Sequence, residues 1–190
     1  MQISGIGASS GYAVGKTVFL TRHDGVVERR ELNEHEVDTE ILRFREAVGR
    51  AVGDLERLAD HVGRGAGEEQ AKIFASQVLL LQDPELTGSA ESAIREQRIN
   101  AEAALSDVTA MIVDLFRSMD DPYMRERAAD VTDVSRRVMD LLTGREDPLA
   151  RTFDEPVILV ADDLTPSETA RLDRGRIAGF AMELGGYTSH

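Results

Sequence analysis

The hydrophobic period changes twice along this chain, and no other feature limits its fold so tightly. Between Asn33 and Gly144 apolar residues recur every three or four positions, whereas the flanks carry short β-branched runs. In the first of these helical stretches Val37, Ile41, Phe44, Val48, Ala51, Leu55, Leu58 and Val62 trace the seam of a helix packed along a long partner. Asn33 with Glu36 reads as a capping box in which Asn takes the usual Ser or Thr place, and Gly63, Gly65 and Gly67 are expected to break the helix. A second helix is expected over 68–82, stopped by Asp83-Pro84 because Pro disfavours helical geometry in the residue before it. Its Ile73, Phe74, Val78, Leu79, Leu80 and Leu81 cover more than one narrow stripe. After a shorter helical piece near 84–98, Asn100 is expected to cap a third long helix carrying Leu105, Val108, Ile112, Leu115 and Met119. Pro122, well placed at a first helical position, opens a fourth with Met124, Ala128, Val131, Val134, Val138 and Leu141, and Gly144 closes it. Four sizeable helices on short loops predict an antiparallel four-helix bundle.

Residues 13–20 and 26–32 read as strands, 156–161 as a buried strand and 177–182 as another. Thr165-Pro166-Ser167-Glu168 has the form of a cap followed by Pro and opens a short helix expected to end near Gly175. The fold class is therefore α+β or α/β. A discontinuous β-containing domain, residues 1–32 and 146–190, is interrupted by a helical insert over 33–145.

With 190 residues, 42% of them hydrophobic, the chain is long enough for one large domain or two small ones. Its net charge is −13, and residues 33–145, with 14 Lys and Arg against 23 Asp and Glu, account for −9 of it. Such a surface repels DNA, RNA and anionic membranes and attracts a partner with a basic patch. The absence of cysteine excludes disulfides, thiolate metal sites and a thiol nucleophile, and suits a reducing cytoplasm. The start, Met1-Gln2-Ile3-Ser4-Gly5, lacks the form of a signal peptide, and no apolar run is long enough to span a bilayer.

Of four histidines, His23, His35 and His61 read as solvated surface residues, and no pair has metal-ligand spacing. His190 follows Gly185-Gly186-Tyr187-Thr188-Ser189. Paired glycines let backbone N–H groups approach an anion, Thr188 and Ser189 add hydroxyls, and an imidazole keeps a free nitrogen near neutrality. That set suits a histidine that accepts a phosphoryl group, and it equally suits an ordinary turn. On the second helix, Glu68, Glu69, Asp83 and Glu85 surround an apolar centre assigned to Phe74, Val78 and Leu81, the anatomy of a docking surface.

Several separated motifs then fall in one order: Ile3-Ser4-Gly5-Ile6 and Ala8-Ser9-Ser10-Gly11, Gly67-Glu68-Glu69, Leu79-Leu80-Leu81, Glu126-Arg127-Ala128-Ala129-Asp130-Val131, Asp163-Leu164-Thr165-Pro166-Ser167-Glu168-Thr169, and the closing Gly-Gly-Tyr-Thr-Ser-His. In these the chain resembles, from Met1 to His190, the N-terminal part of the Enzyme I family, the phosphoenolpyruvate-protein phosphotransferases of bacterial sugar uptake. The resemblance implies a swivelling phosphohistidine domain, incomplete here, with an inserted bundle that docks the small carrier protein HPr. By position it makes His190 the nucleophile that takes phosphate from phosphoenolpyruvate on Nε2 and passes it to a histidine of HPr. It makes Thr169 the hydroxyl that orients the ring, with Gly185, Gly186, Thr188 and Ser189 as the supporting loop and Arg127 as a further carrier-binding residue. A relay between two partners also requires hinge motion of the domain.

Ser10 and Gln70 stand where relatives often have Pro and Lys, the second beside the expected docking face. The family continues beyond the position of His190 with the rest of the phosphohistidine domain and a barrel that binds phosphoenolpyruvate and Mg²⁺ and forms a homodimer. The expectation for these 190 residues alone is accordingly a cytoplasmic monomer that binds HPr, with no cofactor of its own and no transfer from phosphoenolpyruvate. Two alternatives stay open: the phosphohistidine domain of a pyruvate phosphate dikinase-like enzyme, which has a similar histidine motif, and a non-catalytic helical interaction module.

Overall fold

The computed structural model describes residues 5–20, 27–65, 68–145, 154–162, 164, 168–169, 172 and 175–184. The chain divides into two compact units, Met1–Asp24 with Asp147–His190, and Gly25–Glu146.

In the first unit β1 (Lys16–Leu20), β2 (Val157–Ala161) and β3 (Ile177–Met182) form a parallel sheet in that order, with β2 central. The β-branched runs form these strands because alternate side chains reach one core. Leu20, Val157, Leu159, Ala161 and Leu172 are buried there, with Val18, Leu164 and Ile177 packed against them. Gly15, just before β1, permits a close approach: a Cβ there would stand 2.9 Å from the Pro156 carbonyl oxygen.

The helical unit opens with a 3₁₀ turn (Glu34–Glu36) leading into α1 (Val37–Gly65), followed by α2 (Glu68–Gln82), α3 (Thr87–Gln97), α4 (Ala101–Ser118) and α5 (Pro122–Thr143). Seven of the eight seam residues of α1 are buried, and Val48 is half-buried. The helix continues through Gly63 to Gly65, so Gly63 does not break it. The Glu36 carboxylate accepts from both the backbone N–H and the side-chain amide of Asn33, at 2.8 and 2.9 Å. The four long helices stand as expected, and the shorter α3 fills the connection between α2 and α4.

The expected strand over 26–32 is not formed by the described residues 27–32. That segment makes a single antiparallel bridge, Glu31 to Ile99, and is held by the start of α4. The Asn100 side chain accepts from the Arg30 N–H at 2.8 Å and donates to the Glu28 carbonyl at 2.9 Å, while Leu32 is buried. The residues before Asn33 thus pack with the helical unit, where the Asn100 side chain together with the backbone of Arg98 and Asn100 satisfies their polar groups.

Asn100 occupies the expected cap position, but its side chain makes no capping bond. The orphan N–H of Ala101 instead donates to Glu40 Oε1 of α1, at 2.8 Å. At α5 the Asp121 carboxylate accepts from the Tyr123 N–H at 2.9 Å, Pro122 stands in the first turn, and Gly144 closes the helix at φ +62°.

Candidate functional site

Two places in the fold are candidates for a functional site. One is the carboxyl edge of the sheet, where ligands of open parallel sheets commonly sit. β2 and β3 run in the same direction side by side, and their pairing continues past the strands: Glu183 N–H donates to the Ala161 carbonyl at 3.1 Å and Leu184 N–H to that of Asp162 at 2.8 Å. The chain leaving β2 at this edge leads to Thr169, and the chain leaving β3 leads directly to residue 185. Thr169 is half-buried in a helical turn, its carbonyl accepting from the N–H of Leu172, whose side chain lies in the sheet core. Gly185, Gly186, Thr188, Ser189 and His190 lie outside the described residues, as do Thr165-Pro166-Ser167.

The second place is the outer side of α2. Phe74 and Leu81 are only 2% exposed and Val78 is buried beside them, so these three side chains belong to the bundle core and cannot form the centre of a docking surface. Their spacing of four and three is the seam by which α2 packs on its neighbours, and Gln77, in the same stripe, reaches α5 by donating from Nε2 to Asp133 at 2.8 Å. The large apolar side chains that α2 leaves to solvent are Ile73, 41% exposed, and Leu79, 67% exposed. Glu68, Asp83 and Glu85 are exposed as expected; the Glu69 side chain lies outside the described residues. Sequence reading missed Ile73 and Leu79 as surface groups, although separating the four-three seam from the rest of the helix would have singled them out.

Arg127, on α5, is half-buried. Its Nε and Nη2 donate to the Tyr123 hydroxyl at 3.0 and 2.8 Å, and Nη1 donates to Asp130 at 3.4 Å. Burial pushes the Asp130 carboxyl above its ordinary value, with Asp133 and Glu126 adding to the shift and Arg127 opposing it.

Residues 4–127 match the family described as PEP-utilising enzyme, N-terminal, and residues 153–190 match PEP-utilising enzyme, mobile domain. The solution NMR structure of an Enzyme I protein, nEIt, superposes with a TM-score of 0.81 at 33% identity, covering 98% of this chain and 75% of that one. The chain belongs to the Enzyme I family. Phosphoenolpyruvate-protein phosphotransferases of Bacillus subtilis and of Listeria monocytogenes are each 42% identical over 189 residues, all of this chain and 33% of theirs. The chain therefore spans about a third of the length of these Enzyme I relatives. A structure titled the N-terminal domain of Enzyme 1 – Nitrogen is similar at a TM-score of 0.70 and 25% identity. The helical unit and parallel sheet are thus the architecture of Enzyme I N-terminal domains, which bears out the α+β reading. Among the described residues no three His, Asp or Glu side chains are grouped to hold a metal ion, and no helix is long and apolar enough to cross a membrane.

Proposed function

We propose that this chain is the carrier-docking and phosphohistidine-bearing part of a phosphoenolpyruvate-protein phosphotransferase serving bacterial sugar uptake. In the first step Nε2 of His190 attacks phosphorus, the bond from phosphorus to the enol oxygen breaks, and the enolate leaves to be protonated as pyruvate. In the second, a histidine nitrogen of HPr attacks the same phosphorus and His190 leaves as neutral imidazole. Each step is a displacement at phosphorus, so the residues here contribute alignment and charge stabilisation. Thr169 orients the His190 ring, and the glycines, Thr188 and Ser189 offer donors to the phosphoryl oxygens.

What supports this reading is that the Thr169 segment and the chain leading to His190 leave parallel neighbouring strands at one edge of the sheet. HPr docks on the outer side of α2, where Ile73 and Leu79 supply the apolar contact and Glu68, Asp83 and Glu85 an acidic rim for a basic partner. Mg²⁺, phosphoenolpyruvate binding and homodimer formation belong to a further domain of the family, and the compartment is the cytoplasm.

His190→Ala in the full-length enzyme should abolish phosphoryl transfer to HPr while changing the Kd for HPr less than about threefold. Retained transfer would overturn the assignment of His190, and loss of HPr binding with it would make the histidine structural.

A further inference from the structure

Arg127 has five N–H donors, and its position on α5 gives three of them partners on its own helix. The Tyr123 hydroxyl oxygen, one turn earlier, takes Nε–H and one Nη2–H, while Asp130 takes one Nη1–H. The guanidinium carbon also lies 5.1 Å from the centre of the Tyr123 ring. Tyr123 is in turn fixed at the helix start, where its backbone N–H donates to Asp121 and Pro122 sets the first turn. Among the described residues nothing else takes the remaining N–H on each terminal nitrogen, which leaves one on each for an external acceptor.

We infer that Tyr123 is a positioning residue for carrier docking: its hydroxyl holds the Arg127 guanidinium so that the two remaining donors meet an oxygen acceptor, a carboxylate or a helix-end carbonyl, on the docked protein. This rests on the proposed docking of HPr and on the carrier-binding role that the family resemblance gives Arg127. An arginine side chain loses much rotamer freedom when it is immobilised at an interface, and a tyrosine that holds it beforehand removes part of that cost from binding. Asp130 alone cannot do this, since its contact is longer and engages one terminal nitrogen only. Tyr123 itself is more than half exposed, so its hydroxyl has no role in the bundle core.

The test is a double-mutant cycle on the Kd of the 190-residue chain for HPr. Tyr123→Phe keeps the ring and the helix start and removes only the oxygen. It should weaken binding roughly three- to tenfold, Arg127→Ala should weaken it at least as much, and the double variant should bind like Arg127→Ala. The thermal midpoint of Tyr123→Phe should match wild type, and the Arg127 Nε–H signal in the free variant should shift and broaden. Wild-type affinity in Tyr123→Phe, with Arg127→Ala impaired, overturns the positioning role and leaves docking intact. Additive losses overturn it as well, because Tyr123 would then contact the carrier independently. No effect of Arg127→Ala would instead overturn the docking role of Arg127.

Discussion

Glu40 lies almost wholly out of water between α1 and the start of α4, and three donors offset the cost of burying its charge. Arg43 donates from Nε at 3.1 Å and from Nη2 at 2.6 Å, and Ala101 N–H donates at 2.8 Å. Burial by itself would raise this carboxyl, yet the Arg43 and Ala101 bonds outweigh it and hold the group below its ordinary value. Glu102 behaves alike: burial opposes, and bonds from Arg43 and Asn100 prevail. A carboxyl whose folded pKa is below its unfolded one binds fewer protons when folded. Its contribution is therefore complete above the ordinary carboxylate range and is lost as pH falls through the lowered values. Glu40→Gln should cost about 1.5–3 kcal/mol at pH 7, the worth of hydrogen bonds to a charged group, with a smaller difference from wild type at pH 3; denaturant unfolding at both pH values checks it. This cluster was not legible in the sequence, because its members lie about 60 residues apart and only the packing of α1 beside α4 brings them together.

At the scale of elements, strong periodicity and terminal chemistry carried the reading. The Asp121-Pro122 start and the Gly144 stop of α5 stand where the residue types put them, and residues 68–82 form α2 within the expected bounds. Gly144→Ala should cost about 1–2 kcal/mol, since only glycine adopts the left-handed conformation freely, and thermal unfolding followed by helical circular dichroism will show it. A tertiary partner decided what local pattern could not. Residues 27–32 have strand composition, but Asn100 captures their backbone; α2 carries apolar groups around much of its circumference, and only its neighbours determine that Phe74, Val78 and Leu81 go inside. On α4 the repeat leaves the core near its end, with Val113 buried while Leu115 and Met119 are exposed.

At the scale of the molecule, the switch from strand to helix and back was visible as a change of period, and it yields two units of different chemistry in one chain. The sheet supplies an edge at which β2 and β3 end side by side; the helical unit holds the greater part of the excess negative charge and an α2 surface with exposed Ile73 and Leu79. The histidine motif and its order with the other motifs were legible because the proposed phosphoryl chemistry would fix residue type there. The proposed docking face was legible only as charge, since Glu68, Asp83 and Glu85 announce a solvated rim whatever lies at its centre. The most direct test of carrier docking by the helical unit is titration of the isotopically labelled 190-residue chain with HPr, followed by backbone and methyl NMR. Shifts are expected to concentrate on Glu68, Ile73, Leu79, Asp83, Glu85 and Arg127, with roughly tenfold weaker binding for Leu79→Glu, as for a contact at an interface centre. Shifts absent from α2, or confined to the exposed side of α4 around Met111 and Leu115, would contradict it.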